Sequence, residues 1–159
     1  MSYLVYSFIQ FLNLFGRLLK KESKLIGLVT LVLIWMLIGG NTGTPDTVNY
    51  ITSYSGATFR SYLEEIEIGY LFLEKMGNLL GLDYMLFRML TVIPCILLLH
   101  SIIKEYAYNY HYVYFFYMLY AIIIDAEQIR NFMAMSIVIY SIKFLVRGGI
   151  KNKFKYIIC

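Results

Sequence analysis

An all-α, polytopic integral membrane bundle is the fold class this sequence predicts, and three observations predict it. Hydrophobic residues make up 60% of the 159 and charged residues only 15%, more apolar surface than a soluble domain of this size can bury. Long runs without charge recur along the chain. The remaining charge is gathered in short blocks between those runs.

The runs predict about five transmembrane helices, taken here in order. Residues 2–16, with their flank, predict a first span near 3–19. This run precedes its positive charges instead of following them and has no small-residue cleavage site, so it does not read as a secretory signal. An alternative lays it flat as an interfacial helix and leaves the topology from Leu25 onward unchanged. Residues 25–45 carry no charge and predict a span at 25–44. Residues 89–103, with Pro94 and His100 inside, predict one at 84–103, and residues 106–124, without a single Asp, Glu, Lys or Arg, predict the next. Residues 131–146 are broken only by Lys143, near enough to the end to snorkel, and predict a fifth span at 129–146. A helix of about 20 residues crosses the hydrocarbon core and about 17 suffice; two runs meet that outright and the others lean on flanking residues. A further span is expected to start at 156.

Orientation follows from the bases. Arg17, Lys20, Lys21 and Lys24 form one block, Lys143, Arg147, Lys151, Lys153 and Lys155 another, and Lys104 lies between the third and fourth spans. The positive-inside rule places all of them in the cytoplasm, with the amino terminus outside the bacterial cytoplasmic membrane. The 41–83 connection then lies outside; its six acids (Asp46, Glu64, Glu65, Glu67, Glu74, Asp83) against Arg60 and Lys75 carry a net charge of −4.

Other features exclude function classes. Cys95 and Cys159 are isolated, no Cys-x-x-Cys occurs, and His100 and His111 have no partnering ligands in sequence, so no metal site and no cofactor are expected; both histidines read as structural or interfacial. Gly39-Gly40-Asn41-Thr42-Gly43-Thr44-Pro45 lacks the Gly-Lys-Ser/Thr ending of a phosphate loop and reads as a turn. No nucleic-acid partner is expected. The alternating Tyr106, Tyr108, Tyr110, Tyr112 and Tyr114 have a strand's period, but the residues between them form no consistent face, and an aromatic belt is the better account.

The 41–83 connection is too long for a minimal link, and long ordered connections tend to be functional. Its second half, 67–82, predicts an interfacial or re-entrant helix on the outer face. The spacing of Glu67, Glu74 and Asn78 puts them on one face of that helix; Glu64 and Glu65 read as surface. At the other end of the chain, Asp125, Glu127 and Arg130 interrupt two apolar runs, and ionisable groups at membrane depth are functional candidates.

Three motifs in order, Asp46-x-x-x-Tyr50, then Glu67-Ile-Gly-Tyr70 with the segment to Phe87, then Ile129-Arg130-Asn131-Phe132-Met133-Ala134, resemble EpsG-like membrane proteins, relatives of the Wzy-type polymerases of exopolysaccharide, capsule and O-antigen. The resemblance runs from about Leu25 to the end. It implies part of a C-type glycosyltransferase that joins polyprenyl-pyrophosphate-linked oligosaccharide repeat units at the outer face of the membrane, among membrane lipids and other polysaccharide-assembly membrane proteins. Such a reaction expels a diphosphate. Arg130, with Asn131 beside it, would hold that group through bidentate, charge-assisted bonds, and Asp46 or Glu67 would serve as general base for the acceptor hydroxyl. Tyr50 and Tyr70 are the expected sugar-contacting neighbours.

Each residue also has a plainer reading: Arg130 paired with Asp125 or Glu127, Asp46 capping a turn after Pro45, Glu67 one of a solvated acidic cluster. A lipid-linked-sugar flippase would use similar residues, but the internal repeats common in transporters are missing from the sequence. Family members are about twice as long and carry a further outer motif with His, so the chain reads as a truncated product, a fragment or one part of a split protein. An inactive remnant or a partner subunit of a polymerase is therefore the third reading.

Overall fold

Eight α-helices and one 3₁₀ turn make up the regular structure of the described residues, 3–18, 23–62 and 67–146, in a computed structural model. In order they are α1 (Tyr3–Leu18), α2 (Lys24–Gly39), α3 (Asp46–Gly56), the 3₁₀ turn (Ala57–Phe59), α4 (Ile68–Leu79), α5 (Tyr84–Tyr106), α6 (Tyr110–Leu119), α7 (Ala121–Glu127) and α8 (Ile129–Val146). No strand occurs among them. Lys20, Lys21, Glu64, Glu65, Arg147 and the stretch carrying the expected sixth span lie outside the described residues.

Local chemistry sets the boundaries. Ser23 caps α2 by accepting from the Ile26 N–H, and Asp83 caps α5 by accepting from the Leu86 N–H, each satisfying a donor the first helical turn leaves open. Between α4 and α5 the chain reverses at Gly81, whose φ of 68° is costly for any residue with a Cβ.

Among the described residues, α5 and α8 are the helices long and apolar enough to cross a membrane, with mean hydropathies of 2.1 and 1.5. α2 is 16 residues, about 24 Å at 1.5 Å per residue, short of a hydrocarbon core about 30 Å thick; the described part of α1 is also 16 residues. The run 106–124, read from sequence as one span, is two helices. Asn109 breaks it first, extended at φ −147° and capping α6 through the His111 N–H. It breaks again at Tyr120 (φ −138°, ψ −58°), and the Tyr117 hydroxyl donates to the Asp125 carboxylate across that corner at 2.6 Å. Neither break carries a Pro or Gly, which is why hydropathy alone runs straight through both.

The tyrosine belt is corrected in part. Tyr106, Tyr108 and Tyr112 are exposed, whereas Tyr110 and Tyr114, four apart on α6, are buried in the core. Helical spacing, once the cap at Asn109 sets the phase, divides the alternating tyrosines between surface and interior. His111 is fully buried beside Asn13, and His100 shares a hydrogen bond with Tyr114. Lys143 does not snorkel freely: it is buried with its ammonium 3.5 Å from the centroid of the Tyr140 ring.

α5 is the central helix, packed on α2 and α8. The Trp35 N–H donates to the Met89 carbonyl at 2.8 Å and ties α2 to it. Outward faces stay apolar, with Phe8, Leu28, Leu97 and Val138 each more than half or half exposed, a surface suited to lipid rather than water. The last turns of α2 and α7 meet the first turns of α5 and α8 at one end, and α3 and α4 cap that end. Lys24, Lys104 and Tyr110 line a cleft at the other end, where the Tyr110 hydroxyl donates to the Ser23 carbonyl.

Candidate functional site

Arg130 is the second residue of α8. A cation there faces the positive end of the helix dipole, so its neighbours must supply the compensation. Its guanidinium pairs with the Glu67 carboxylate, which arrives from just before α4. The same guanidinium stands 5.1 Å from the Tyr50 ring centroid and 5.9 Å from that of Tyr70, within the reach of a cation–π contact. Three elements far apart in sequence therefore converge on one charge. The plainer reading of Arg130 is replaced: its carboxylate partner is Glu67, and Asp125 is engaged by Tyr117 instead.

Two clefts open on either side of Arg130. The smaller, about 130 Å³, is bounded by Asp46, Asn49, Tyr50 and Ser53 of α3 and by Arg130. The larger, about 550 Å³, is bounded by Glu67, Tyr70 and Leu73 on one wall and by Arg130, Asn131 and Ile137 on the other. Arg130 belongs to both. All six residues singled out from sequence thus border one cleft or the other, but the two acids are divided: Asp46 lines the smaller, Glu67 the larger.

The two acids differ in setting as well. Asp46 is the first residue of α3 and follows Pro45, which makes no side-chain cap; a carboxylate at that position is favoured by the helix dipole. The preceding turn is closed by the Thr47 N–H to the Thr44 carbonyl and by the Thr44–Thr47 hydroxyl pair, and Asp46 lines the smaller cleft. Glu67 is 44% exposed and Arg130 42%, and an ion pair this wet is worth about 0–1 kcal/mol.

Desolvation holds the Tyr70 phenol well above the ordinary tyrosine range, an effect reinforced by Tyr84, Glu74 and Tyr50 and partly offset by Arg130. It therefore stays a neutral hydrogen-bond donor. The Asn131 amide donates to the Gln128 side chain at the turn into α8.

The shared face expected for Glu67, Glu74 and Asn78 is a correction. Glu67 precedes α4 in a non-helical conformation (φ −102°, ψ 60°), which removes it from the helical register. Glu74 and Asn78, four apart, do share a face, and it points inward to α3. Glu74 is fully buried, paired with Arg60 at 3.1 Å and accepting from the Ser53 hydroxyl, and Asn78 donates to the Tyr54 carbonyl at 2.8 Å.

Sequence reasoning passed over Arg88. It is fully buried in the first turns of α5 and donates to the carbonyls of Ile38 and Ala126 and to the Tyr84 hydroxyl. The apolar run of the third span was read from residue 89, one position beyond it. An arginine two residues after Leu86 and just ahead of an uncharged run was the available signal. Among the described residues no group of three or more His, Cys, Asp or Glu is placed to hold a metal.

The model of the EpsG family matches residues 24–159, the segment that holds both clefts and every residue around them. Comparison with curated proteins and with solved structures gave no match. The family and the two long apolar helices make this a membrane protein with a role related to polysaccharide polymerisation. With the family model covering all but the first 23 residues, the chain belongs to the EpsG family.

Proposed function

We propose that the chain contributes the outer-face site of a membrane polysaccharide polymerase, joining polyprenyl-pyrophosphate-linked oligosaccharide units. The observation that carries this reading is Arg130 standing between two clefts with a carboxylate on each side. In this reading the end bearing Lys24 and Lys104 faces the cytoplasm, and the α3–α4 cap faces outward in a multi-pass arrangement.

Glycosyl transfer from a lipid pyrophosphate places growing negative charge on the leaving oxygen. Arg130 and the N–H groups at the start of α8 stabilise that charge, and the diphosphate replaces Glu67 as the partner of the guanidinium. Asp46 takes the proton from the acceptor hydroxyl as the oxygen attacks the anomeric carbon. The base is assigned to Asp46 because the Glu67 carboxylate is already engaged by the Arg130 guanidinium. Tyr50 and Tyr70 flank the sugars at the junction, with Asn131 on the wall of the larger cleft.

The test is complementation of a polymerase-null strain with the full-length protein and its Arg130→Ala variant. Long-chain polymer from the parent and its loss in the variant is the expected result. Equal polymer from both would overturn the role of Arg130. Transfer of single repeat units to the outer leaflet, without polymer and only when the protein is present, would replace polymerisation with transport.

A further inference from the structure

We infer that Arg88 is a positioning residue whose bonds hold the α7–α8 corner, and with it Arg130, in register with the α3–α4 cap. It rests on the polymerase reading only for its kinetic consequence.

A guanidinium has five N–H donors in a rigid fork, and here each bonded nitrogen serves a different element. The Nε donates to Ile38 in the last turn of α2 at 3.1 Å, and one terminal nitrogen donates to Ala126 in the last turn of α7 at 2.5 Å. Both carbonyls sit at the negative ends of their helices, where the ladder leaves acceptors unfilled. The other terminal nitrogen reaches the Tyr84 hydroxyl at 3.5 Å. Every partner is an uncharged oxygen, so the charge is offset by two helix termini and the Tyr84 hydroxyl. A buried charge without good partners is expensive, which makes this geometry hard to exchange for another.

The same bonds connect the elements that carry the site. Ala126 lies four residues before Arg130, and its carbonyl accepts a second bond, from the Asn41 amide at 3.1 Å. Tyr84 packs edge-on against Tyr54 of α3 at 5.8 Å, and Phe87 stacks on Tyr54 at 4.8 Å and meets Tyr70 of α4 at 6.2 Å. One buried side chain thus links the start of α8 to the aromatic cluster beneath the cap. Lysine does not reproduce it, because its compact ammonium has neither the Nε donor nor the planar fork that Arg88 uses toward the two helices.

The experiment places Glu67→Cys and Arg130→Cys in the same chain, in membranes, with Cys95 and Cys159 replaced by Ala. It measures the yield of intramolecular cross-link by a short bis-maleimide, which spans side-chain positions too far apart for a direct disulfide, with Arg88 present, with Arg88→Met and with Arg88→Lys. A several-fold lower yield in both variants, with the melting temperature in detergent shifted by no more than a few degrees, is the expected result. An unchanged yield overturns the inference. Should Arg88→Met fail to fold, Asn41→Ala, which removes the second donor to Ala126 along with the exposed acceptor for the Gly43 N–H, decides instead: a smaller drop in yield supports the inference and no drop overturns it. In polymerising membranes, Arg88→Met should lower kcat on the order of a hundredfold, as a misplacement of about 1 Å can do, with little change in KM for the lipid-linked donor. A rate unchanged per folded molecule also overturns it. Absence of polymer from the parent chain would count against the polymerase reading alone, and the cross-link yield would still decide Arg88.

Discussion

Two arginine–carboxylate pairs sit in and beside the 41–83 connection, and they behave as opposites. Glu74 is fully buried under α3, with Arg60 and Ser53 supplying its bonds and Asn78 stitching the same helix face to Tyr54. Glu67, seven residues earlier, is nearly half exposed and reaches across to α8 to pair with Arg130 between two clefts. Opening the first pair takes the arginine away from a fully buried carboxylate, which is costly. The second can exchange one anion for another at little cost. The difference teaches that a carboxylate's setting follows from its surroundings and not from its place in an acidic cluster: one is buried inside the cap, the other pairs with a half-exposed cation between two clefts.

The largest effects should separate the pairs by function. Asp46→Asn should reduce polymer formation about 10²–10⁴-fold, the range for losing a general base, and Arg130→Ala about 10²–10³-fold, both with folding intact as read by thermal unfolding in detergent. Full activity of Asp46→Asn would move the base elsewhere and leave Arg130 alone at the junction. Next, Glu74→Ala should destabilise the protein by about 1–3 kcal/mol through the unpaired groups it leaves behind, seen as a lower melting temperature. Gly77→Ala should cost a comparable ~1–3 kcal/mol, since a Cβ there would stand 2.7 Å from the Phe87 ring and the Tyr54 hydroxyl. A Glu74→Ala protein as stable as the parent would erase the contrast between the pairs. The smallest effect belongs to Glu67→Gln: its stability change should stay within about 1 kcal/mol and shrink in high salt, while binding of inorganic pyrophosphate tightens because a competing carboxylate is gone. Weaker pyrophosphate binding in Glu67→Gln would mean that Glu67 helps hold the ligand site together.

The arrangement of the site was partly legible beforehand. Arg130 stood out because a charge between apolar runs is costly anywhere else, and Tyr50, Tyr70 and Asn131 came with the motifs around Asp46, Glu67 and Arg130. The pairing itself was not legible, since nothing across a separation of 63 positions says which acid reaches Arg130. Arg88 escaped for a related reason: its partners are backbone carbonyls of Ile38 and Ala126, and a carbonyl has no letter in the sequence. The helix breaks at Asn109 and Tyr120 escaped because hydropathy reports where a segment is apolar and not where its backbone turns.

Composition and periodicity by themselves determined that this protein is helical and built for a membrane. Transfer of apolar side chains out of water is additive along the chain and needs no knowledge of partners. The order of the motifs determined the family. Only the tertiary structure decided how many helices are long enough to cross, which tyrosines are core, and which carboxylate answers which arginine. Those outcomes depend on contacts between residues tens of positions apart, where geometry, not composition, sets the energy.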